Sequence, residues 1–385
     1  MKICQICAVQ FTAEKFLLDL VDGLQDNGHE VIMVYRSNKD ERNLRLDGYN
    51  VHNMKISRDF NILSKFSEIF SLYRYFRKER FDVVHCHTPI GGLVGRIAAR
   101  LAGVKFIYYT VHGFYFHENS NKLEYFFHSN LERILGYITD LMFTVSNEDC
   151  ATAISRSIIS EQRVISINNG VDSVRFDPAS VSDRFSLRES FRIRPDELVI
   201  GIVCRLVREK GVVDFLLAAA KLKDLIPDSK IIFMIVGEAL PSDRDQTLKN
   251  EIENYKQILG DSLLLTGYRD DIPDMLSIMD VFCLPSWREG LPVTIIEAMM
   301  MNKFVIATNI RGSRELICNS NLGLIIEPKS PDSLMSAFQF CIDNPEKISY
   351  ENLFSRQAAL EKYEVNSNIK SQVEIIEKHS KSVLD

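Results

Sequence analysis

Short apolar runs alternate along this chain with longer stretches in which apolar residues return every three or four positions. The first pattern belongs to strands buried on both faces, the second to helices resting one stripe on a sheet. Strands are predicted at 3–9, 31–35, 49–54, 82–87, 106–111, 141–145 and 164–167. Between them, helices are predicted at 16–27, 62–80, 91–102, 122–137 and 147–155. Helix-length crossovers between strands imply a parallel sheet covered on both sides. The rhythm breaks at 168–196, which holds Gly170, Pro178, Pro195 and a short basic helix at 185–193. It then restarts, with strands at 198–204, 230–236, 263–265, 281–284, 304–308 and 323–326. The second set of helices is expected at 212–225, 243–259, 272–277, 293–300, 314–317 and 331–343, with a last one at 365–380.

The expected organisation is a domain over 1–172, a linker over 173–196, a second domain over 197–364 and a terminal helix over 365–385. A chain of 385 residues exceeds what one core holds, about 250–300. Open parallel sheets bind ligands outside the carboxyl ends of their strands, so two facing domains would share one cleft. Hydrophobic residues at 46% and charged residues at 25% are ordinary for globular proteins and argue against a disordered chain. The net charge of −6 argues against a nucleic-acid binder. That excess lies beyond residue 170; the first part is near neutral and holds seven of the eight histidines, so it is the better face for an anionic partner. The eight scattered cysteines read as buried thiols in a reducing compartment, Cys4 and Cys7 included. No secretion signal and no run of ~18 apolar residues is visible, which predicts a cytoplasmic protein.

The strongest local signal is Pro285-Ser286-Trp287-Arg288-Glu289-Gly290-Leu291-Pro292, followed by a helix carrying Glu297. Gly290 lets backbone approach a ligand, and Pro292 suits the first helical position. The helix start suits an anion such as a diphosphate, and Glu289 and Glu297 suit sugar hydroxyls. A plain helix start with favourable acidic residues reads the same way. In Cys204-Arg205-Leu206-Val207-Arg208-Glu209-Lys210-Gly211, Arg205 and Lys210 suit a phosphate, or are two solvated loop cations. His112 ends a strand beside Gly113, a place for a ligand contact or for a structural imidazole. His85 and His87 share a strand face as paired metal ligands do, yet no carboxylate or cysteine completes a site. The stretch 8–12 reads as a glycine-free loop, unlike a dinucleotide fingerprint. The helix at 62–80 has a basic face and an apolar stripe of Phe66, Ile69, Phe70, Tyr73 and Phe76. It reads as a crossover helix on the sheet, with a membrane-surface face as the other option.

Taken in order, these segments resemble glycosyltransferase family 4, whose fold, GT-B, pairs two Rossmann-like domains. The most specific match is the pair Glu289 and Glu297, seven residues between them. Arg205, Lys210 and Gly211, the Gly267-Tyr268-Arg269-Asp270-Asp271 segment, the stretch from Asp82 to Pro89, His112-Gly113 and Asn168-Asn169-Gly170-Val171-Asp172 also match. The resemblance implies a retaining, metal-independent enzyme with no cofactor beyond its nucleotide-sugar. Glu297 would hold the ribose, while Glu289 with Gly290, Leu291 and Pro292 would hold the donor sugar. Arg205 and Lys210 would neutralise the departing diphosphate, His112 would contact the sugar, and Tyr268 and Arg269 would lie beside the base. Thr88-Pro89-Ile90-Gly91-Gly92 and His112-Gly113-Phe114-Tyr115-Phe116 resemble a bacterial subgroup that extends lipid-linked saccharides for capsule, exopolysaccharide or O-antigen. Their donors are often UDP-linked hexoses or N-acetylhexosamines, and contact with the inner membrane face is implied. Two other functions suit the same fold: a nucleotide-sugar 2-epimerase and a non-catalytic assembly partner. Cys204 and Asn302 stand where the family usually has glycine.

Overall fold

A computed structural model describes residues 1–36, 48–57, 62–239 and 248–382, which form two compact units. Met1–Asn169 and Val365–Asp385 make the first, Gly170–Glu364 the second. The first has seven parallel strands: β1 (Lys2–Val9), β2 (Glu30–Arg36), β3 (Val51–Asn53), β4 (Val83–His87), β5 (Phe106–Val111), β6 (Leu141–Thr144) and β7 (Val164–Ser166). Their order is β3-β2-β1-β4-β5-β6-β7. The second has six, β8 (Leu198–Val203), β9 (Ile231–Val236), β10 (Leu263–Gly267), β11 (Val281–Leu284), β12 (Phe304–Thr308) and β13 (Gly323–Ile326), in the order β10-β9-β8-β11-β12-β13. Each sheet winds outward from its first strand and then jumps to that strand's other side. At the two jumps, β1 beside β4 and β8 beside β11, successive loops diverge and open a crevice.

Both faces of each sheet are covered, which is why strands such as β9 (Ile-Ile-Phe-Met-Ile-Val) are apolar throughout. Along β1 the pleat sends Cys4, Ile6 and Ala8 into one core, and Ile3 and Cys7 into the other. Cys4 and Cys7 therefore serve opposite cores and are not a dithiol pair. The terminal helix Val365–Ser382 returns to the first unit, with Val373 and Ile376 packed among Leu20, Val21 and Leu24. There Tyr108 is hydrogen-bonded to His379 Nδ1 and Ser380 Oγ at 3.0 and 2.8 Å.

Several expectations are corrected. The stretch 8–12 is not a loop: β1 runs to Val9 and a helix Gln10–Phe16 begins at once, followed by Leu18–Asp26. Gln10 is buried and its Nε2 donates to Glu14 Oε1 at 2.8 Å, so a polar residue sits where composition suggested a loop. The segment 173–196 is part of the second unit and not a linker. Phe176 and Ile193 are buried, Arg184 and Arg188 both pair with Asp280, and Arg188 also donates to the Glu197 carbonyl. The helix Pro345–Tyr363 is not expected from the sequence, because Ser355 and Ala359, two of its most buried positions, carry a polar and a one-carbon side chain. In Ile62–Glu79, Leu72 and Phe76 pack inward while Phe66 and Phe70 point to solvent. Lys65 there is buried against Glu68 at 2.9 Å and takes no part in the basic face. The helix expected at 243–259 is seen as Leu248–Leu259, and 243–247 lie outside the described residues. Asn302 has φ +56°, the left-handed geometry that asparagine accepts in glycine's place.

Candidate functional site

In the second unit, the loops leaving β8 and β11 lie at the jump in strand order and are stitched together. Lys210 Nζ meets Glu289 Oε1 at 2.6 Å, and Ser286 Oγ donates to the same oxygen at 2.7 Å. Glu289 Oε2 carries no side-chain partner among the described residues. The Trp287 backbone N–H donates to the Glu209 carbonyl at 2.8 Å, and its indole N–H to Asp214 Oδ2 at 2.6 Å. Gly211 has φ +71°, and a Cβ there would fall 2.0 Å from the Pro285 carbonyl oxygen. Only glycine lets the two loops approach so closely.

The helix Val293–Met300 starts after Pro292, which is the cap residue (φ −70°, ψ 110°) and not the first helical one as expected. No side chain caps this start, so its leading N–H groups suit an anion. Glu297 is half-buried on that helix, and Gly290 and Leu291 complete the approach to it. Arg205 follows Cys204 at the end of β8, half-buried. The Cys204 thiol is pushed up to about 12 by burial, which makes it a packing group. Tyr268 and Arg269 follow β10 at the sheet edge and are engaged locally. Tyr268 donates to Asp270 at 2.9 Å, and Arg269 forms an ion pair with Asp271 that raises its own pKa and lowers that of the carboxylate.

Sequence reading missed a third loop, after β12. Gly312 has φ +79°, and a Cβ there would lie 1.7 Å from the Gly290 carbonyl oxygen. Thr308 Oγ1 donates to the Ser286 carbonyl at 2.6 Å. Ser313 is fully buried, and its Oγ has no hydrogen-bond partner among the described residues. The cue was Arg311-Gly312-Ser313 straight after an apolar strand, the same strand-to-glycine-loop pattern used elsewhere in the chain.

In the first unit, β1, β4 and β5 bring together Gln5, His87 and His112 at the other jump in strand order. His87 Nε2 lies 2.6 Å from Gln5 Oε1, and His87 Nδ1 lies 3.2 Å from His112 Nε2. His85 Nε2 meets Thr110 Oγ1 at 2.7 Å. Among the described residues, no three His, Cys, Asp or Glu side chains gather as a cation site. Burial lowers the pKa of His85 to about 3, of His112 to about 4, and of His87 well below the ordinary 6.5.

These shifts carry a sign. The imidazoles are neutral in the folded protein, whereas an unfolded chain protonates them below about 6.5. Their contribution is therefore fully present above pH 6.5 and is lost as pH falls toward 4. We expect Tm to drop across that window, with proton uptake on unfolding at pH 5. A Tm that is flat between pH 5 and 7 would contradict neutral burial.

The sequence model of Glycosyltransferase Family 4 matches residues 13–175, and that of Glycosyl transferases group 1 matches residues 183–358. The chain is 35% identical over 288 residues to an Escherichia coli UDP-Gal:alpha-D-GlcNAc-diphosphoundecaprenol alpha-1,3-galactosyltransferase, covering 73% of this chain and 72% of that one. It is 32% identical to the Bacillus subtilis (strain 168) putative glycosyltransferase EpsD, covering 67% of each. Among solved structures, Anabaena HepE in complex with UDP-glucose superposes with a TM-score of 0.80 at 20% identity, over 98% of this chain and 99% of that one. The fold is GT-B.

Proposed function

This chain belongs to glycosyltransferase family 4, and we propose that it moves a hexose or N-acetylhexosamine from a UDP-sugar to a lipid-linked saccharide in bacterial surface polysaccharide synthesis. The observation that carries this reading is the convergence of Lys210 and Ser286 on Glu289 between two glycine-bearing loops. In this reading Glu289 Oε2 accepts from a sugar hydroxyl, and Lys210 neutralises the diphosphate. As the bond from the anomeric carbon to the diphosphate oxygen breaks, Lys210 and Arg205 take up the charge that develops on the leaving group. The acceptor hydroxyl oxygen bonds to the anomeric carbon, and its proton departs with the diphosphate. Retention is the stereochemistry we assign, in keeping with the alpha linkage named for the E. coli relative. We assign no metal to this step, because Arg205, Lys210 and the uncapped helix start supply positive potential at the diphosphate.

A lipid-linked acceptor implies work at a membrane face. No described helix is long and apolar enough to cross a membrane. The helix Lys122–Gly136 suits a surface contact better than Ile62–Glu79. Leu123, Phe126, Phe127 and Ile134 are exposed on it, with Tyr137 just beyond, and Leu123 is 82% exposed. At 100° per residue these five lie within an arc of about 100°, beside Lys122 and Arg133. Aromatic and basic side chains together suit an anionic lipid surface.

A panel of UDP-, GDP- and ADP-sugars, each tested with EDTA, checks the donor by thermal shift. One UDP-hexose or UDP-N-acetylhexosamine should stabilise the protein, by about 2.7 kcal/mol at a hundred times Kd. Transfer should require a diphospholipid-linked saccharide, and a sugar-nucleotide converted without acceptor would point to the epimerase. Loss of the shift in EDTA would overturn the metal-free reading. Flotation with phosphatidylglycerol vesicles should recover the wild type and fail in Phe126→Ser/Phe127→Ser.

A further inference from the structure

Lys210 reaches Glu289 through a flexible stem, and about a quarter of its side chain (27%) is exposed. Such a lysine is a point charge with many rotamers, so the pair keeps one geometry only if the backbones beneath it keep a fixed separation. Trp287, the only tryptophan in the chain, sets that separation. It shares a loop with Glu289, and its two N–H groups bracket Lys210. The backbone N–H donates to the carbonyl of Glu209, immediately before Lys210, at 2.8 Å. The indole N–H donates to Asp214 Oδ2, in the first turn of the helix Val212–Leu225, at 2.6 Å. A carboxylate acceptor makes the second bond the stronger kind, and the helix start favours the charge on Asp214. From a third loop, after β13, Lys329 Nζ lies 4.7 Å from the centre of the indole ring and closes over its face. Neither Trp287 nor Asp214 is assigned a substrate contact in the proposed function.

We infer that Trp287 and Asp214 are positioning residues that hold the loops after β8 and β11 in one register, so that the Lys210–Glu289 pair is in place before the donor's diphosphate begins to leave. The inference rests on the proposed role of Lys210 and Glu289 in sugar transfer. A preorganised charge acts as the leaving group becomes anionic, without reorganising at that moment. Loosening the clamp therefore slows the bond-breaking step, while ground-state contacts to the nucleotide persist. The effect falls on kcat and leaves KM nearly unchanged.

The clamp is tested first without turnover. In the full chain labelled with 15N-tryptophan, the sole indole N–H gives one signal, and its exchange with solvent deuterium reports the bond to Asp214. Exchange should be slow in wild type and at least about tenfold faster in Asp214→Ala, where local opening frees the N–H. Asp214→Asn, whose amide oxygen still accepts, should stay close to wild type. Lys210→Met leaves both Trp287 bonds intact and removes the ion pair. Contacts that stabilise one arrangement support each other, so this variant should also speed exchange, by about threefold or more. An indole rate that Asp214→Ala or Lys210→Met does not move overturns the inference.

Kinetics follow, with the best UDP-sugar and a diphospholipid-linked acceptor. Asp214→Ala and Trp287→Phe, which keeps an aromatic ring and drops the N–H, should each lose about tenfold or more in kcat, with KM within about threefold of wild type. Asp214→Asn should recover most of kcat. A merely structural role would lower Tm and leave the kcat of the folded enzyme unchanged, and a rise in KM alone would mark a binding contact; either result overturns the inference. Should Trp287→Phe fail to fold, the two Asp214 variants still decide. Failure to turn over any sugar-nucleotide would instead fall on the functional reading, while the exchange measurement still decides the clamp.

Discussion

Glu289→Gln is expected to fold normally and to lose about a thousandfold in kcat/KM for the donor. The amide keeps the size of the side chain and can still accept from Ser286. It removes the carboxylate that Lys210 meets at 2.6 Å, and with it the strong acceptor that the proposed function assigns to the sugar. Losing one charge-stabilising contact in an active site typically costs 10²–10³, and here Lys210 also loses its orientation. The stability cost should be roughly 1 kcal/mol, because the lysine is about a quarter exposed (27%) and water screens its unpaired charge. Circular dichroism and the melting curve should match wild type to within a few degrees. Turnover within tenfold of wild type would remove Glu289 from the site.

The second large effect is expected at a residue that touches no proposed substrate group. Gly312→Ala places a side chain at φ +79°, which costs an L-residue about 1–2 kcal/mol. Its Cβ would also stand 1.7 Å from the Gly290 carbonyl oxygen, so backbone must move. Forcing atoms into packed structure adds about 1–3 kcal/mol. The displaced segment is Gly290, Leu291 and Pro292, immediately before the uncapped helix start. A misplacement near 1 Å costs on the order of a hundredfold in rate, so donor turnover should fall by at least that much. Gly260→Ala is the control: its φ is +53°, yet nothing lies within 4 Å of the new Cβ. It should cost only the backbone strain and leave donor binding intact. Equal losses of activity in both variants would show that the Gly290 contact has no special role.

Much of the architecture was legible in the chain. Apolar runs such as Ile231–Val236 and Val281–Leu284 mark strands because a sheet covered on both faces leaves no polar position. The order of strand and helix forces parallel sheets, and glycine-bearing loops after strands mark where ligands enter. Local pattern failed where burial was polar or short-chained. Gln10 lies buried at a helix start, Arg184 and Arg188 anchor what looked like a linker, and Ser355 and Ala359 line an unexpected helix. Exposure failed differently: Phe66 and Phe70 fit a helical stripe, but the neighbouring helix does not cover them.

By itself, then, the sequence determined the two parallel sheets, the loops that end their strands, and the residue types offered there: Glu289, Glu297, Arg205, Lys210 and His112. Only the tertiary structure decided the partners. Lys210 reaches Glu289 across 79 positions, and Gln5 reaches His87 across 82. Gly312 supports Gly290 from another strand. The reason is physical. Periodicity is set by a few neighbouring residues and their backbone geometry, and so can be read in one dimension. Hydrogen-bond partners, tautomers and close backbone approaches depend on strands that are adjacent in the sheet and distant in the chain.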